Sequence, residues 1–313
     1  MRFGFYLPTR GPTAQADSLT EIAVTAESLG FHSVMIADHI VIPETVNSPY
    51  PYTVKGNFVG EDEALEQLTL MTFIGARTSR LRLVSSVMIL PHRNPVVTAK
   101  TLATIDMLTG GRVTVGVGVG WMREEFEALA APDFAARGAV SNEYLEIFKK
   151  LWTEDRPSHV GTHYQFEQLK FAPKPVQNPH PPIWIGGHSA PALRRVARYG
   201  DGWHPVGSTA ASPLPPAEVK EKRETIRTLA AEAGRNPDAI EVAYKAPIYD
   251  SGRPPEGSER RYFSGDADAI LDDIGAFAEA GVDELIFDFR SPSVAETVER
   301  MRWFASEVMP RVP

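Results

Sequence analysis

The chain has 313 residues, carries a formal net charge of −8 and contains no cysteine. The missing thiols exclude disulfides, thiolate zinc sites, iron–sulfur clusters and a cysteine nucleophile, and the negative charge argues against a general nucleic-acid binder. No apolar run approaches the roughly 20 residues of a membrane helix. The apolar run at 1–8 is too short for a signal peptide, so we expect a soluble cytoplasmic protein.

Short apolar runs alternate along the chain with longer helical periods, a pattern typical of βα units. The predicted strands are, in chain order, 3–7, 33–37, 81–90, 113–119, 183–185, 202–204, 240–246 and 284–289. The predicted helices are 17–29, 64–76, 96–108, 124–129, 142–152, 190–199, 216–233, 267–280 and 294–308. Asp17 would cap the first of them.

Eight strands alternating with helices predict an α/β protein, a single (β/α)8 TIM barrel spanning residues 1–313. An open doubly wound sheet is the alternative, because alternation alone does not show closure. The count of eight favours the barrel, and so does the missing GxGxxG turn after the first strand. A hairpin near 159–171 and a long loop at 40–62 would be insertions, and a mobile loop is expected at 249–265.

Functional residues of a barrel lie at the carboxyl ends of its strands. Asp38 and His39 directly follow the second predicted strand, at its carboxyl end. Histidine can transfer a proton near neutral pH, and a neighbouring carboxylate could hold its ring. Adjacent residues on a strand point to opposite sides, however, so a capping Asp38 beside an exposed His39 is the alternative interpretation.

A glycine-rich turn joins the fifth predicted strand to its helix. It comprises Gly186, Gly187, His188 and Ser189. Backbone amides at a helix start favour an anion, whereas the alternative is a tight turn capped by Ser189.

The fourth predicted strand alternates glycine with valine at Gly116, Gly118 and Gly120. Either a flat ring lies on the side-chain-free face of this strand or another backbone segment approaches it closely, and close approach of protein is the more common reason. Trp121, Trp184 and Trp203 could similarly line a pocket or fill the core. No metal site is expected, since His159 and His163 lie in the predicted hairpin and share no helical face.

Several segments together resemble the bacterial luciferase-like monooxygenase superfamily, particularly its branch that uses the deazaflavin coenzyme F420. They are FGFYLP (3–8), ADH (37–39), PHRNP (91–95), LTGGR (108–112), the hairpin exit at 166–175, PIWIGG (182–187) and GDGW (200–203). The resemblance implies a TIM barrel that binds a flavin or deazaflavin at the carboxyl ends of its strands and that pairs as a homodimer.

The resemblance also implies roles for individual residues. Ser86–Val87 matches a non-proline cis peptide that backs the cofactor ring, and Gly186, Gly187, His188 and Ser189 match the loop that grips its phosphate. His39 matches a histidine near the reacting ring atom, with Asp38 beside the ring. Gly118 and His204, on or at the end of predicted strands, complete the predicted cofactor site.

The chain departs from the sugar-phosphate dehydrogenases of that superfamily, because Trp121 stands where they carry a glutamate. A small apolar or aromatic substrate therefore fits better, next to Trp121, Tyr50 and Tyr52. The leading hypothesis is an F420-dependent oxidoreductase. The alternatives are an FMN-dependent monooxygenase and a non-catalytic flavin-binding accessory protein.

A dimer surface has one candidate, the face formed by Leu68, Met71, Thr72 and Gly75. Core packing explains the same apolar face equally well.

Overall fold

A closed parallel barrel is present in the computed structural model of the chain, which describes residues 1–55, 64–246 and 260–312. The described part of the chain has the strands β1 (Arg2–Tyr6), β2 (Ser33–Ile36), β3 (Arg82–Ser85), β4 (Met88–Ile89), β5 (Val113–Gly118), β6 (His159–Val160), β7 (Gln165–Phe166), β8 (Ile183–Gly186), β9 (Gly202–His204), β10 (Glu241–Ala246) and β11 (Glu284–Phe287), of which all but β6 and β7 belong to the barrel. Its α-helices are α1 (Ala16–Ser28), α2 (Gln67–Arg77), α3 (Pro95–Leu108), α4 (Arg123–Ala128), α5 (Arg137–Thr153), α6 (Ala190–Tyr199), α7 (Pro216–Glu232), α8 (Ala267–Glu279) and α9 (Val294–Glu307).

Strand pairing closes the barrel between its first and last strands. β1 lies between β2 and β11, and the parallel order continues through β10, β9, β8 and β5. β5 pairs with β3 and also with β4, so these two short strands occupy a single barrel position. The described strands thus form the predicted (β/α)8 barrel, and the open doubly wound sheet is wrong.

Several predicted boundaries shift in the structure. Gln15 occupies the N-cap position of α1 without a side-chain capping hydrogen bond. Asp17 lies in the first turn and is not the cap. α5 begins at Arg137, before the predicted start of that helix at 142. The predicted hairpin is confirmed but reduced to the short antiparallel pair β6 and β7. The loop at 40–62 is described up to 55 and the loop at 249–265 only from 260, so the rest of both lies outside the described residues.

Apolar side chains divide between the barrel interior and the layer beneath the helices. The interior cluster is small and includes Tyr6, Val84 and Trp184. The larger cluster packs the helices against the strands and includes Trp203, which is fully buried. Trp184 and Trp203 are therefore core residues.

The apolar face of α2 considered as a dimer surface also belongs to the core. Leu68, Met71 and Gly75 are buried, and a Cβ on Gly75 would lie 2.6 Å from Thr109 Cγ2. Core packing therefore explains this face. None of the described helices combines the length and apolar character needed to span a bilayer.

Candidate active site at the carboxyl end of the barrel

The third barrel position is interrupted where the predicted strand 81–90 would run straight. The Ser86–Val87 peptide bond, between β3 and β4, is cis, as the family resemblance implied. The glycines of β5 make room for this kink. A Cβ at Gly116 would lie 2.1 Å from the Ser85 carbonyl oxygen, and one at Gly118 would lie 2.7 Å from Val87 Cγ2. The glycine face of β5 therefore makes room for the adjacent segment between β3 and β4, and Gly118 leaves space for the Val87 side chain.

His204 holds the kinked segment from inside the barrel. It ends β9, its Nδ1 donates to the Ala243 carbonyl oxygen at 2.7 Å, and its Nε2 accepts from the Ser86 hydroxyl at 2.9 Å. Burial lowers the pKa of His204 to about 4, so the ring is neutral near pH 7. Both ring nitrogens are thus used by protein groups, and His204 contributes to the site by fixing Ser86.

A lysine contacts the same segment from the open side. Lys245 on β10 donates from Nζ to the Ser86 carbonyl oxygen at 3.1 Å, and Nζ lies 4.2 Å from the ring centroid of Tyr6. Burial, together with the charge of Arg290, lowers the pKa of Lys245 to about 7. Lys245 is visible in the sequence as a strand-end residue, but nothing in its neighbours assigns it a role.

His39 is oriented by a carboxylate that sequence reasoning missed. Its Nδ1 lies 2.9 Å from Glu125 Oε2, and the second oxygen of Glu125 accepts from the Ile40 amide at 2.8 Å. Burial alone would raise the pKa of Glu125, but His39, His92 and the Ile40 amide together outweigh burial and lower it. Glu125 is therefore ionised and accepts a hydrogen bond from His39 Nδ1–H. This hydrogen bond fixes the orientation of the His39 ring, and a histidine oriented in this way can act as a general acid or base.

Asp38 does not contact His39. Its two carboxylate oxygens receive hydrogen bonds from the Arg93 guanidinium at 2.7 and 2.8 Å, and Oδ2 also accepts from the Ile89 amide at 2.8 Å. Asp38 thereby ties the end of β2 to β4, immediately after the cis peptide. This contact accounts for part of the PHRNP motif, because Arg93 is its third residue.

An aromatic cluster covers His39. The ring of Trp121 is edge-on to His39, with centroids 6.4 Å apart, and Tyr50 packs on Trp121 at 5.1 Å. Tyr52 packs against Tyr50 at 5.5 Å. The loop that carries both tyrosines is held by α4, where Glu124 accepts from the Asn47 and Ser48 amides at 2.8 and 3.0 Å. The structure thus brings together the three aromatic residues that were predicted to face the substrate.

The glycine turn at the start of α6 has the features of an anion site. Gly187 has a φ of 87°, and its carbonyl oxygen accepts from Trp203 Nε1 at 2.8 Å. Ser189 occupies the N-cap position, but its side chain makes no capping hydrogen bond, so the alternative of a serine-capped turn is not realised. His188 Nδ1 is buried without a hydrogen-bond partner among the described residues. This unpartnered ring nitrogen beside a helix N-terminus is consistent with a phosphoryl site, since helix N-termini bind phosphates well.

The predicted residues therefore separate into several groups in the structure. His39 lies under the aromatic cluster, while Ser86 and Val87 form the kink braced by His204 and Gly118. Gly186 packs on that kink, with its Cβ position 3.0 Å from Val87 Cγ1. Gly187, His188 and Ser189 form the anion turn, and Asp38 lies behind the site in an ion pair. Among the described residues, no cluster of side chains is suited to hold a metal ion.

Comparison with known proteins agrees with this architecture. The family model described as luciferase-like monooxygenase matches residues 1–256. An uncharacterized protein of Mycobacterium tuberculosis is 35% identical over 235 residues, 74% of each chain. The FMNH(2)-dependent dimethylsulfone monooxygenase of Pseudomonas putida is 33% identical over 189 residues, 60% of this chain and 49% of the relative. An F420-dependent secondary alcohol dehydrogenase, solved with an F420–acetone adduct, has a TM-score of 0.78 at 20% identity and covers 100% of this chain and 99% of its own.

Proposed function

The chain belongs to the luciferase-like monooxygenase family of oxidoreductases, and from this premise we propose that it uses coenzyme F420 in hydride transfer to or from a small organic substrate. The substrate is apolar or aromatic in the part that meets Trp121, Tyr50 and Tyr52. The main observation behind the proposal is the hydrogen bond by which Glu125 orients His39, a residue able to transfer protons. This pair lies at the same end of the barrel as the cis peptide.

The described residues fit a phosphate-bearing tricyclic coenzyme. The kink at Ser86–Val87 would back the ring, and the turn at Gly187, His188 and Ser189 would hold the phosphate through backbone amides and His188 Nδ1. When bound, F420 supplies a ring carbon that accepts or donates hydride. His39 Nε2 supplies or removes the proton at the substrate oxygen, and the aromatic cluster excludes water from that exchange.

An FMN-dependent monooxygenase is the second candidate. The Pseudomonas putida relative favours it, since that protein is FMNH(2)-dependent and is more similar in sequence than the F420-dependent dehydrogenase. Both coenzymes carry a tricyclic ring and a phosphate, so the contacts above serve either. The intact proton carrier and anion turn argue against a non-catalytic flavin-binding accessory protein.

The two candidates are separated by titration of the purified coenzyme-free protein with FMN and with F420, followed by coenzyme fluorescence. We expect saturable binding of F420 with a Kd at least about tenfold lower than that of FMN, a difference of about 1.4 kcal/mol. Preferential binding of FMN together with oxygen consumption coupled to product formation would reject the F420 assignment. The homodimer remains a prediction, which light scattering would check against twice the 34.4 kDa mass of the chain.

A further inference from the structure

Among the described residues, Lys245 at the barrel mouth forms no ion pair with a carboxylate. Its Nζ contacts the Ser86 carbonyl oxygen at 3.1 Å and the Tyr6 ring at 4.2 Å, both of which are neutral groups. The charge of Asp288 raises the pKa of Lys245, but it only partly offsets the lowering by burial and by Arg290. Burying a cation without a paired anion costs free energy, and a bound anion would recover it.

Asp288 is already paired with another cation. Its Oδ1 accepts from Arg290 Nε at 2.7 Å and its Oδ2 accepts from Arg290 Nη2 at 2.5 Å. Arg290 Cζ lies 5.5 Å from the centroid of the same Tyr6 ring that Lys245 covers. Lys245 Nζ and the Arg290 guanidinium therefore lie over the same aromatic ring, and the Asp288 carboxylate is bonded to Arg290.

The charge of Arg290 also acts on the aromatic cluster. Burial raises the pKa of Tyr50, whereas the charges of Arg10 and Arg290 act in the opposite direction. Tyr50 in turn packs on Trp121, which packs on His39. A ligand that spans this region would meet aromatic rings at one end and cations at the other.

We propose that the substrate is an organic anion, with a carboxylate or similar oxyanion held by Lys245 beside Arg290 and an apolar or aromatic body under Tyr50 and Trp121. Charge-assisted hydrogen bonds from an ammonium to an oxyanion are among the stronger polar contacts in proteins, and they would orient the reacting carbon. This inference rests on the proposed function and narrows its substrate class.

The test uses benzoate and benzamide, which share a ring and differ in charge. Both are titrated calorimetrically into the protein loaded with whichever coenzyme it binds, and into the coenzyme-free protein. We expect benzoate to bind at least about tenfold more tightly than benzamide. Lys245→Gln should remove that preference by weakening benzoate alone, and Lys245→Arg should largely retain it.

Lys100→Gln is the matched control, because Lys100 also donates to a backbone carbonyl, that of Ala172, and lies over an aromatic ring, that of Phe171. It should leave both titrations unchanged. Equal affinity for benzoate and benzamide in the wild type overturns the proposal, even if Lys245→Gln does not fold. So do failure of both ligands to bind and unchanged benzoate affinity in Lys245→Gln. Coenzyme binding without a benzoate preference rejects only the substrate class, whereas absence of coenzyme binding rejects the proposed function.

Discussion

Glu125 and His39 are 86 positions apart in the chain, yet 2.9 Å separates the carboxylate oxygen from the imidazole nitrogen. We expect Glu125→Gln to lower kcat with little change in KM or coenzyme affinity, because the amide keeps the shape but no longer fixes the Nδ1 proton. His39→Ala should lower turnover by about 10²–10⁴-fold, the usual contribution of a general acid or base. Steady-state kinetics and coenzyme titration measure both effects.

The double variant separates positioning from a general structural effect. If Glu125 acts through His39, then His39→Ala combined with Glu125→Gln should be no slower than His39→Ala alone. Additive losses would assign Glu125 an independent role, and an unchanged rate in His39→Ala would make His39 structural.

A second buried carboxyl lies at the amino end of the barrel and should make stability depend on pH. Glu284 accepts a hydrogen bond from the Ser33 hydroxyl, and burial raises its pKa to about 7. The folded state thus favours the protonated form. Its stabilising contribution is complete below the unfolded pKa near 4.5 and is lost as the pH rises through about 7. Glu284→Gln, which cannot ionise, should therefore gain about 1–3 kcal/mol relative to wild type between pH 5 and pH 8.5.

Urea unfolding at the two pH values measures this gain. Glu299→Gln, on the exposed face of α9, is the control for removal of one negative charge. A difference between Glu284→Gln and wild type that does not vary with pH would contradict the assignment.

At the residue scale, the sequence predicted positions better than partners. His39 could be found because it lies just after the carboxyl end of a strand. Glu125 lies in α4, a short helix with several acidic residues, far away in sequence. Its role depends on how the loop after β2 returns over the barrel, which local patterning does not encode. His204 was placed correctly at a strand end, yet the direction of its side chain follows from pairing register, which the sequence does not state.

At the scale of elements, the third barrel position shows both the reach and the limit of the sequence. Alternation alone gives one strand over 81–90, and only the family resemblance places the cis peptide at Ser86–Val87. The structure supplies the reason for the alternating glycines, since the Cβ position of Gly116 overlaps the Ser85 carbonyl. A pattern of small residues indicates a close approach but does not identify the group that approaches.

The turn at the start of α6 carries its own prediction. Gly187→Asp should weaken a phosphate-bearing coenzyme by at least about 100-fold, because like charges placed together cost several kcal/mol. Gly187→Asn has nearly the same shape and tolerates the left-handed backbone, so it should retain binding within about tenfold. Fluorescence titration distinguishes the two.

Where FMN is the coenzyme titrated, riboflavin supplies an internal control for this turn, since it has the ring of FMN without the phosphate. Its affinity should be similar in Gly187→Asp and Gly187→Asn. Equal loss of FMN or F420 binding in both variants would show that the anion lies elsewhere.

At the scale of the whole molecule, the site draws on many barrel positions. His39 follows β2, Ser86 lies in the third position, Gly187 follows β8 and Lys245 is on β10. A coenzyme bound across these strands should stabilise the entire fold, by about 2.7 kcal/mol at 100 times its Kd. Urea unfolding followed by tryptophan fluorescence and by circular dichroism should shift by the same amount. A shift in only one of the two signals would indicate that the coenzyme stabilises a local segment.

The neutral imidazole of His204 also has a consequence for acid tolerance. A proton on Nε2 would turn this acceptor into a second donor aimed at the Ser86 hydroxyl, and the pKa near 4 reflects how strongly the barrel resists that change. The unfolded chain takes up this proton near pH 6.5, so the stability that His204 provides is present above that pH and is lost as the pH falls through about 4. In acid the protein should therefore lose the support that His204 gives to the Ser86–Val87 segment. An enzyme of this design meant for acidic surroundings would replace His204 with a neutral amide that can still accept from the serine.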